Sequence, residues 1–598
     1  MAVVATEEAA EDDGWVGGGT RETESFCLRV MLGQFKPPSY LSIHHPHIIT
    51  EKKKEAKERG SAEPWSGSNS TMANSEYGRE SKKEQVIAIV GAGISGLLAC
   101  KYCLSKGFDP IVFESESSIG GVWTKTIGST TLQTPKPLYQ FSNYPWPDTV
   151  TEVFPDQQTV LEYIESYANH FDLVRHIQFN NKVLNLSYQD NGEYSSISGE
   201  RNLWGEAFSS KGKWNVTVED TRSLSTQVYK VDFVIVCLGR FSQVPNIPEF
   251  PPNKGPQAFE GEVIHSMDYS KMDSAAAANF VKGKHVAIVG FQKSGMDIAM
   301  ECSTVNGVER PCSVVIRTPH WNVPDYFPWG FPMAKLYLNR FSELTVHKPG
   351  EGLLLYLMAT IFSPLRWAFS KFVESHIRHK LKLSKHGMVP EHSFLNELSS
   401  CLISTVPEGF YDRVEEGSIK LIKKAENFGF SKEGIVLDGQ AEPIKSDLVI
   451  LATGFKGIEK LKHIFESPKY QEFIAGSDDF AVPLYRECIH PRIPQLVIIG
   501  FSESVANLFT SKIRCRWLTE LLDGKFELPS IKMMEKDIAE WDKYKKRYSK
   551  KYYRRSCIGA LHIWHNDQLC KDMGWNPKRK RGFWAEWFEP YGPLDYSV

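Results

Sequence analysis

Short apolar runs, each followed by a glycine turn and a helical pattern, recur along the chain from Gln85 onward. Strands buried on both faces read as continuous apolar runs, and their alternation with helices is typical of parallel α/β sheets. The unit occurs twice: QVIAIV at residues 85–90 leads into GAGISG, and KHVAIV at residues 284–289 leads into GFQKSG. The pattern predicts an α/β fold with two Rossmann-like dinucleotide-binding domains.

Further apolar runs of strand length predict the domain order. They lie at residues 111–114, 233–239, 313–317, 447–455 and 496–500. The last two follow the second glycine turn, and we expect both to return to the first sheet, so that the second domain is an insertion. The predicted boundaries are residues 84–255 for the first part of the first domain, 256–445 for the inserted domain, and 446–598 for the remainder with a C-terminal tail.

The apolar run LLLYLMATIF at residues 353–362 is too short to cross a membrane. It has ten residues and is followed by Ser363 and Pro364, whereas a spanning helix needs about 20. Short apolar helices of this kind are usually core, so we expect packing inside the protein rather than contact with a membrane surface.

Residues 1–83 differ in composition from the rest. Acidic residues dominate positions 7–13, and a Ser/Asn-rich stretch occupies positions 61–75. Such a segment buries too little apolar area to offset the entropy of ordering it. We therefore expect a disordered N-terminal extension, and its acidic start disfavours an organelle transit peptide.

The charge balance argues against a polyanion-binding protein. Lys and Arg total 70 and Asp and Glu total 72, which gives a formal net charge of −2. The basic stretches at residues 543–555 and 578–581 read as solvated surfaces, and we expect no nucleic-acid partner.

Eleven cysteines are scattered without the dense, even spacing of a secreted disulfide framework. A reducing compartment is favoured, so we expect a cytoplasmic protein, with attachment to the face of the endoplasmic reticulum as an alternative. No His, Cys and carboxylate spacing matches a metal site, and none is predicted.

The first glycine turn has the residues that a dinucleotide needs. Gly91, Gly93 and Gly96 end a predicted strand and open a helix, where the backbone can approach a pyrophosphate closely. Glu114 ends the next strand 18 residues later, near the offset at which an acid binds ribose hydroxyls. That carboxylate would repel a 2′-phosphate, so NAD or FAD is favoured over NADP.

The second glycine turn carries the opposite charge. Gln292 replaces its middle glycine, and the following strand ends in Arg317, 22 residues after Gly295. An arginine there accommodates the 2′-phosphate of NADP. The residues predicted around this dinucleotide are Gly290, Lys293, Ser294, Gly295 and Arg317.

Three further motifs carry a family resemblance. Gly121 and Trp123 belong to a GGxW segment, residues 259–269 fit FxGxxxHxxxY, and residues 451–455 read LATGF, with Thr453 and Gly454 at its turn. In this order, the motifs resemble those of the flavin-containing monooxygenases, which are class B flavoprotein monooxygenases. The GFxKS form of the second turn is similar to plant members.

The resemblance implies an enzyme that binds FAD at the first glycine turn and NADPH at the second. NADPH would reduce FAD, O2 would add to give a C4a-hydroperoxide, and one oxygen would pass to a nitrogen or sulfur nucleophile of a small metabolite. Gln133, in the segment LQTPK, aligns with a position where many members carry Asn beside the flavin. The resemblance makes Gln133 the candidate catalytic residue.

Three alternatives stay open on the sequence. A Baeyer–Villiger monooxygenase is one, although that fingerprint ends in Trp where this chain has Tyr269. A disulfide reductase using FAD and NADPH would need the CxxC pair Cys100 and Cys103 at the flavin, but these lie in the predicted helix after the first glycine turn. The third is a flavin-binding protein without catalysis.

Overall fold

The structure, a computed structural model, describes residues 84–189, 212–423, 425, 427–440, 442–476 and 482–597. The predicted disordered extension at residues 1–83 lies outside this part of the chain.

The described residues form four sheets. Two are five-stranded, and two are three-stranded. The strands are β1 Ile87–Val90, β2 Pro110–Phe113, β3 Ile177–Gln178, β4 Asn181–Gln189, β5 Lys213–Asp220, β6 Thr226–Val231, β7 Phe233–Val236, β8 Glu262–His265, β9 Val286–Val289, β10 Cys312–Ile316, β11 Ile419–Lys423, β12 Phe428–Ser431, β13 Gly434–Leu437, β14 Ile444–Lys445, β15 Leu448–Leu451 and β16 Leu496–Ile498.

Helices cover both large sheets and fill the segment between β10 and β11. They are α1 Ile94–Ser105, α2 Gln157–His170, α3 Ser266–Tyr269, α4 Ser274–Val281, α5 Lys293–Asn306, α6 Met333–Tyr337, α7 Arg340–Leu344, α8 Leu353–Ile361, α9 Ser363–Lys380, α10 Phe394–Ser399, α11 Phe410–Glu416, α12 Gly457–His463, α13 Pro468–Ala475, α14 Asn507–Leu522, α15 Ile531–Ser549, α16 His562–Asp572 and α17 Phe583–Phe588.

The first large sheet is parallel and confirms the predicted fold class. Its strand order is β16-β7-β1-β2-β3. All residues of β1, β7 and β16 are buried, as continuous apolar runs require. Helix α1 packs on this sheet and against α14, so the C-terminal part of the chain completes the first domain.

The second large sheet is also parallel, with the order β11-β10-β9-β15-β8. The expectation that the run at residues 447–455 returns to the first sheet was wrong, because β15 lies between β8 and β9. Only β16 returns to the first sheet, so the inserted segment runs from β7 to β16. The predicted boundary after residue 445 therefore precedes the last strand of the inserted sheet.

The physical reason lies in the packing of the glycine turns. A side chain at Gly290 would place its Cβ 2.4 Å from the carbonyl oxygen of Ala452, directly after β15. At Gly91 the corresponding atom is the carbonyl oxygen of Cys237, 2.7 Å away and directly after β7. Both strands have the same apolar pattern, and only this tertiary contact assigns each to its sheet.

Helix α8 contradicts the expectation of a packed core segment. The side chains of Leu353, Leu354 and Ile361 are 75%, 71% and 70% exposed, and within the helix only Ala359 is buried. In the described part of the chain, no single helix is long and apolar enough to cross a membrane. Helices α8 and α9, bent by 47° to each other, pass that test only as a pair.

A disulfide joins Cys401 and Cys557, which are 156 residues apart. It ties the turn after α10 to the loop before α16. The other cysteines in the described residues are free and buried. The scattered cysteine pattern gave no signal for this pair, since no local spacing marks it.

Candidate active site

A cavity of about 1520 Å³ is lined by both glycine turns. It exceeds the ~300–1,000 Å³ usual for one small-molecule site. Twelve of the fourteen predicted site residues line it: Gly91, Gly93, Glu114, Gly121, Trp123, Gln133, Gly290, Lys293, Ser294, Arg317, Thr453 and Gly454. The other two, Gly96 and Gly295, lie behind the turns.

The first glycine turn is too tight for side chains. Gly91 has φ +102, and a Cβ at Gly96 would lie 1.8 Å from the carbonyl oxygen of Gly91. A Cβ at Gly121 would lie 3.0 Å from the Cα of Gly93, so two motifs 28 residues apart in the chain meet backbone to backbone. The backbone N–H groups of Gly91 and Ala92 donate to Phe113 and Glu114, so those of Gly93 and the start of α1 are left for a phosphate ligand.

Glu114 lies at the end of β2 beside this turn. One carboxylate oxygen accepts a hydrogen bond from the backbone N–H of Ala92 at 2.6 Å, and the other accepts from the backbone N–H of Glu116 at 3.0 Å. The side chain is buried but still lines the cavity. The two bonds hold the Glu114 carboxylate at the cavity wall beside the first glycine turn.

Trp123 packs beside the first glycine turn, in the short 3₁₀ helix Gly121–Lys125. Its indole N–H donates to the hydroxyl of Tyr139 at 2.8 Å, and its backbone carbonyl accepts from the side chain of Gln157. These bonds fix the indole as an apolar wall of the cavity.

The second glycine turn repeats this geometry. Gly290 has φ +126, and a Cβ at Gly295 would lie 2.4 Å from the carbonyl oxygen of Gly290. Helix α5 starts directly after Gln292, whose side chain does not cap it and instead accepts from Ser404 at 2.8 Å. The first N–H groups of α5 are left for a phosphate.

The two predicted cations of this turn differ in their surroundings. Arg317 is exposed at the carboxyl end of β10 and has no hydrogen-bond or ion-pair partner among the described residues. Lys293 is buried, and its ammonium donates to Asp297 at 2.8 Å. Burial raises the pKa of Asp297, while Lys293 and Thr130 act in the opposite direction.

Gln133 is held from the opposite domain. Its backbone carbonyl accepts from the hydroxyl of Tyr326 at 2.6 Å. The side-chain oxygen of Gln133 is buried and has no hydrogen-bond partner among the described residues. Tyr326 lines the same cavity and was missed by the sequence analysis, because nothing in the sequence places it near Gln133.

The family motifs between the domains also contact each other. The Thr453 hydroxyl donates to the carbonyl of Asn246, and the backbone N–H of Asn246 donates to the carbonyl of Gly454 at 2.8 Å. His265 stacks edge-on against Phe455 at 5.4 Å. These contacts join the linker before β8 to the turn after β15.

Cys100 and Cys103 are free thiols in the interior of α1. Burial raises the pKa of Cys100 to about 12 and that of Cys103 well above its usual value. A thiol–disulfide reaction needs a thiolate, so this pair is unsuited to the reductase chemistry considered above.

A second polar cluster lies at the cavity wall. Glu397 is fully buried and accepts from His320 at 2.8 Å and from His392 on its other oxygen. Burial alone would raise the pKa of Glu397, but the two imidazoles lower it to about 2. His320, His392 and Glu397 each offer one ligand atom, and these three atoms lie within 4.8 Å of one another. This spacing is short enough for one metal ion to contact all three. His320 and Glu397 are 77 residues apart, so sequence spacing gave no sign of the cluster.

The family model for flavin-binding monooxygenase-like proteins matches residues 83–580. The chain belongs to this family. Among curated relatives, the Probable flavin-containing monooxygenase 1 of Arabidopsis thaliana is 40% identical over 519 residues, which cover 86% of this chain and 96% of the relative. This flavin-containing monooxygenase is therefore an oxidoreductase that incorporates one oxygen atom, and its cofactors are FAD and NADPH.

Solved structures share the fold of this flavin-containing monooxygenase. S-allyl-L-cysteine S-oxygenase from Allium sativum matches with a TM-score of 0.52 and 16% identity, covering 82% of this chain and 89% of that one. Cyclohexanone monooxygenase from Rhodococcus sp. Phi1 bound to NADP+ matches with a TM-score of 0.52 and 19% identity. The match covers 74% of this chain and 84% of that one. At these identities the likeness supports the two-domain fold alone.

Proposed function

We propose that this enzyme uses NADPH and O2 to oxygenate a nitrogen or sulfur nucleophile of a small metabolite. The observation that carries the proposal is a single cavity shared by two glycine turns of opposite polarity, with Glu114 beside one and Arg317 beside the other. One turn suits a dinucleotide with free ribose hydroxyls, and the other suits one with a 2′-phosphate.

FAD fits the first turn. The backbone of Gly91 and Gly93 with the start of α1 would hold its pyrophosphate, and Glu114 would accept from its ribose hydroxyls. Gly121 and Trp123 would line the flavin end. When bound, the flavin supplies the redox chemistry that links NADPH to O2.

NADPH fits the second turn. Gly290 and the N-terminus of α5 would hold its pyrophosphate, with the Ser294 hydroxyl in the first helical turn. Arg317 would bind the 2′-phosphate, because it is a free guanidinium at the end of the strand next to β9. Thr453 and Gly454 would close the site from the turn after β15.

Gln133 would act at the reacting centre. Gln133 lines the cavity, and Tyr326 fixes its backbone from the other domain. The amide NH2 of Gln133, and not its unpartnered oxygen, would donate to an oxygen atom of the reacting O2. Such a donor would reduce the release of hydrogen peroxide.

The decisive experiment measures product and oxygen origin together. Purified holoenzyme with NADPH and ¹⁸O2 is given thioethers, tertiary amines and primary amines in parallel with cyclic ketones. We expect an S-oxide or N-oxygenated product carrying one ¹⁸O per NADPH consumed. A lactone from the ketones alone would support the Baeyer–Villiger alternative, and NADPH oxidation without product from any substrate would overturn the proposal.

We also propose that the enzyme contacts a membrane surface through exposed apolar residues of α8 and α17. Leu353, Leu354 and Ile361 on α8 are exposed, as are Phe583 and Trp584 on α17, at 65% and 74%. Apolar helices that lie on a bilayer combine such residues with nearby basic side chains.

Both helices rest on α7, which brings their apolar residues together. The ring of Phe341 on α7 lies 5.1 Å from Phe588 of α17 and 5.9 Å from Phe362, which directly follows α8. Arg581 is exposed two residues before Phe583. Its positive charge favours a bilayer with anionic lipids.

A further inference from the structure

Helix α5 carries three ionisable residues at four-residue intervals. Lys293, Asp297 and Glu301 therefore lie on one face of the helix, and Lys293 and Asp297 are buried. This face meets a loop of the first domain at residues 127–133. The helix that starts at the second glycine turn is thus in direct polar contact with the loop that ends in Gln133.

Asp297 makes two hydrogen bonds that lead in opposite directions. One carboxylate oxygen accepts from the Lys293 ammonium at 2.8 Å, and the other accepts from the Thr130 hydroxyl at 2.6 Å. Thr130 is also buried. Because both partners are shielded from water, neither bond can be replaced by solvent without cost.

Further contacts hold the same loop against the second domain. Glu301 accepts from the hydroxyl of Ser129, and Ile127 packs in the core of the second domain. Tyr326 holds the carbonyl of Gln133, three residues beyond Thr130. The position of the Gln133 amide therefore depends on side chains of the NADPH-binding half of the molecule.

We infer that Asp297 is a positioning residue that couples occupancy of the NADP(H) site to the placement of the Gln133 loop. The inference rests on the proposed function, since it takes the start of α5 as the phosphate site. Lys293 lies in the first turn of α5 and lines the cavity, so a bound phosphate attracts its ammonium. Asp297 shares that ammonium while it holds Thr130, and so it links the phosphate to the loop.

The first test separates loop placement from dinucleotide binding. In T130V the hydroxyl that donates to Asp297 is lost, while T130S keeps it. We expect T130V to bind NADP+ within twofold of the wild-type Kd by calorimetry. The change in flavin absorbance that NADP+ causes in the oxidised holoenzyme should fall at least threefold, and T130S should restore it.

The second test asks whether the effect runs through Asp297. K293M should weaken NADP+ binding about tenfold, as loss of a charged hydrogen bond does. D297A should lose the flavin response as T130V does, and T130V added to D297A should change that response no further, because the partner is already gone. T304A, which removes a hydroxyl bonded only to the carbonyl of Met300 on the same helix, is the matched control.

These readouts need no turnover, so they separate the inference from the proposed function. If T130V keeps the wild-type flavin response, or if the T130V and D297A effects add, Asp297 is not a positioning residue. If T130V loses the response while the wild type oxygenates no substrate, the coupling stands and the proposed function fails. Melting temperatures and T130S distinguish a misfolded T130V from a specific effect.

Discussion

Single side chains of opposite charge distinguish the two nucleotide sites. Glu114 directly follows β2 in the first sheet and Arg317 directly follows β10 in the second, and each of these strands pairs with the strand before a glycine turn. Glu114 is already fixed by backbone N–H groups, whereas Arg317 has no partner among the described residues. We therefore predict that the preference for NADPH over NADH depends on Arg317.

Replacing Arg317 by Ala should raise KM for NADPH by about 10- to 150-fold. This corresponds to ~1.5–3 kcal/mol for a hydrogen bond to a charged group. KM for NADH should change less than threefold, since NADH lacks the 2′-phosphate. Arg310→Ala, which removes an exposed arginine before the same strand, is the control. Equal losses for NADPH and NADH would assign Arg317 a structural role.

Replacing Gln133 by Leu tests the amide at similar bulk. With product formed per NADPH and hydrogen peroxide released as the readouts, the peroxide fraction should rise about tenfold if one hydrogen bond of ~1.4 kcal/mol is lost. Gln158→Leu, on the exposed side of α2, should leave the fraction unchanged. An unaltered ratio in Gln133→Leu would remove Gln133 from the reacting centre.

At the scale of elements, the two strand–turn–helix units are built alike, and we propose that they bind different cofactors. In each unit the last glycine lies behind the turn, where a methyl group would clash with a backbone carbonyl. Such a clash displaces the turn because no flexible side chain can yield. A substitution at the last glycine of one unit should therefore distort that turn and leave the other unit intact.

Gly96→Ala should yield protein without bound flavin, because its Cβ would lie 1.8 Å from the Gly91 oxygen. Gly295→Ala, with a separation of 2.4 Å from the Gly290 oxygen, should keep its flavin but reduce it slowly with NADPH. Gly352→Ala lies in open space and serves as the control. Flavin content and stopped-flow reduction check this, and flavin loss in Gly295→Ala would contradict separate sites.

The exposed leucines of α8 give a prediction at the same scale. The double substitution Leu353→Glu/Leu354→Glu should reduce co-sedimentation with anionic phospholipid vesicles at least fivefold. Two apolar contacts are lost and two negative charges meet an anionic surface. Met533→Glu, at a 63% exposed site on α15, should bind like the wild type. Equal binding by both variants would disprove the membrane proposal.

At the scale of the whole molecule, the inserted domain is linked covalently to the C-terminal part of the chain. The disulfide between Cys401 and Cys557 closes a loop of 156 residues, and long loops gain most from closure. The disulfide lies beside the cavity, because Cys401 is one of the residues that line the cavity.

Replacing both cysteines by Ala should lower the free energy of unfolding by about 2–4 kcal/mol. Thermal unfolding with and without dithiothreitol measures this. The reductant should lower the melting temperature of the wild type towards that of the double variant and should not affect the variant. A wild type that melts identically in both conditions, with both thiols titratable in the native state, would show that the bond does not form.

The sequence by itself determined the two nucleotide units, their opposite polarity and the family. These features are local: a strand, a glycine turn and a helix lie within about 30 residues, and the turn needs glycine wherever backbone atoms approach closely. For this reason GAGISG, GFQKSG and the two strand-end charges could be read without coordinates, and most of the predicted site residues line one cavity.

Only the tertiary structure decided the contacts between distant segments. The apolar patterns of β7 and β15 are interchangeable, and the carbonyl facing each glycine turn assigned them to different sheets. Only the tertiary structure likewise showed the hydrogen bond from Tyr326 to Gln133, the hydrogen bond from Thr130 to Asp297 and the exposure of α8. Hydrophobic pattern specifies that a segment is buried or paired, but its partner is set by the packing of the whole chain.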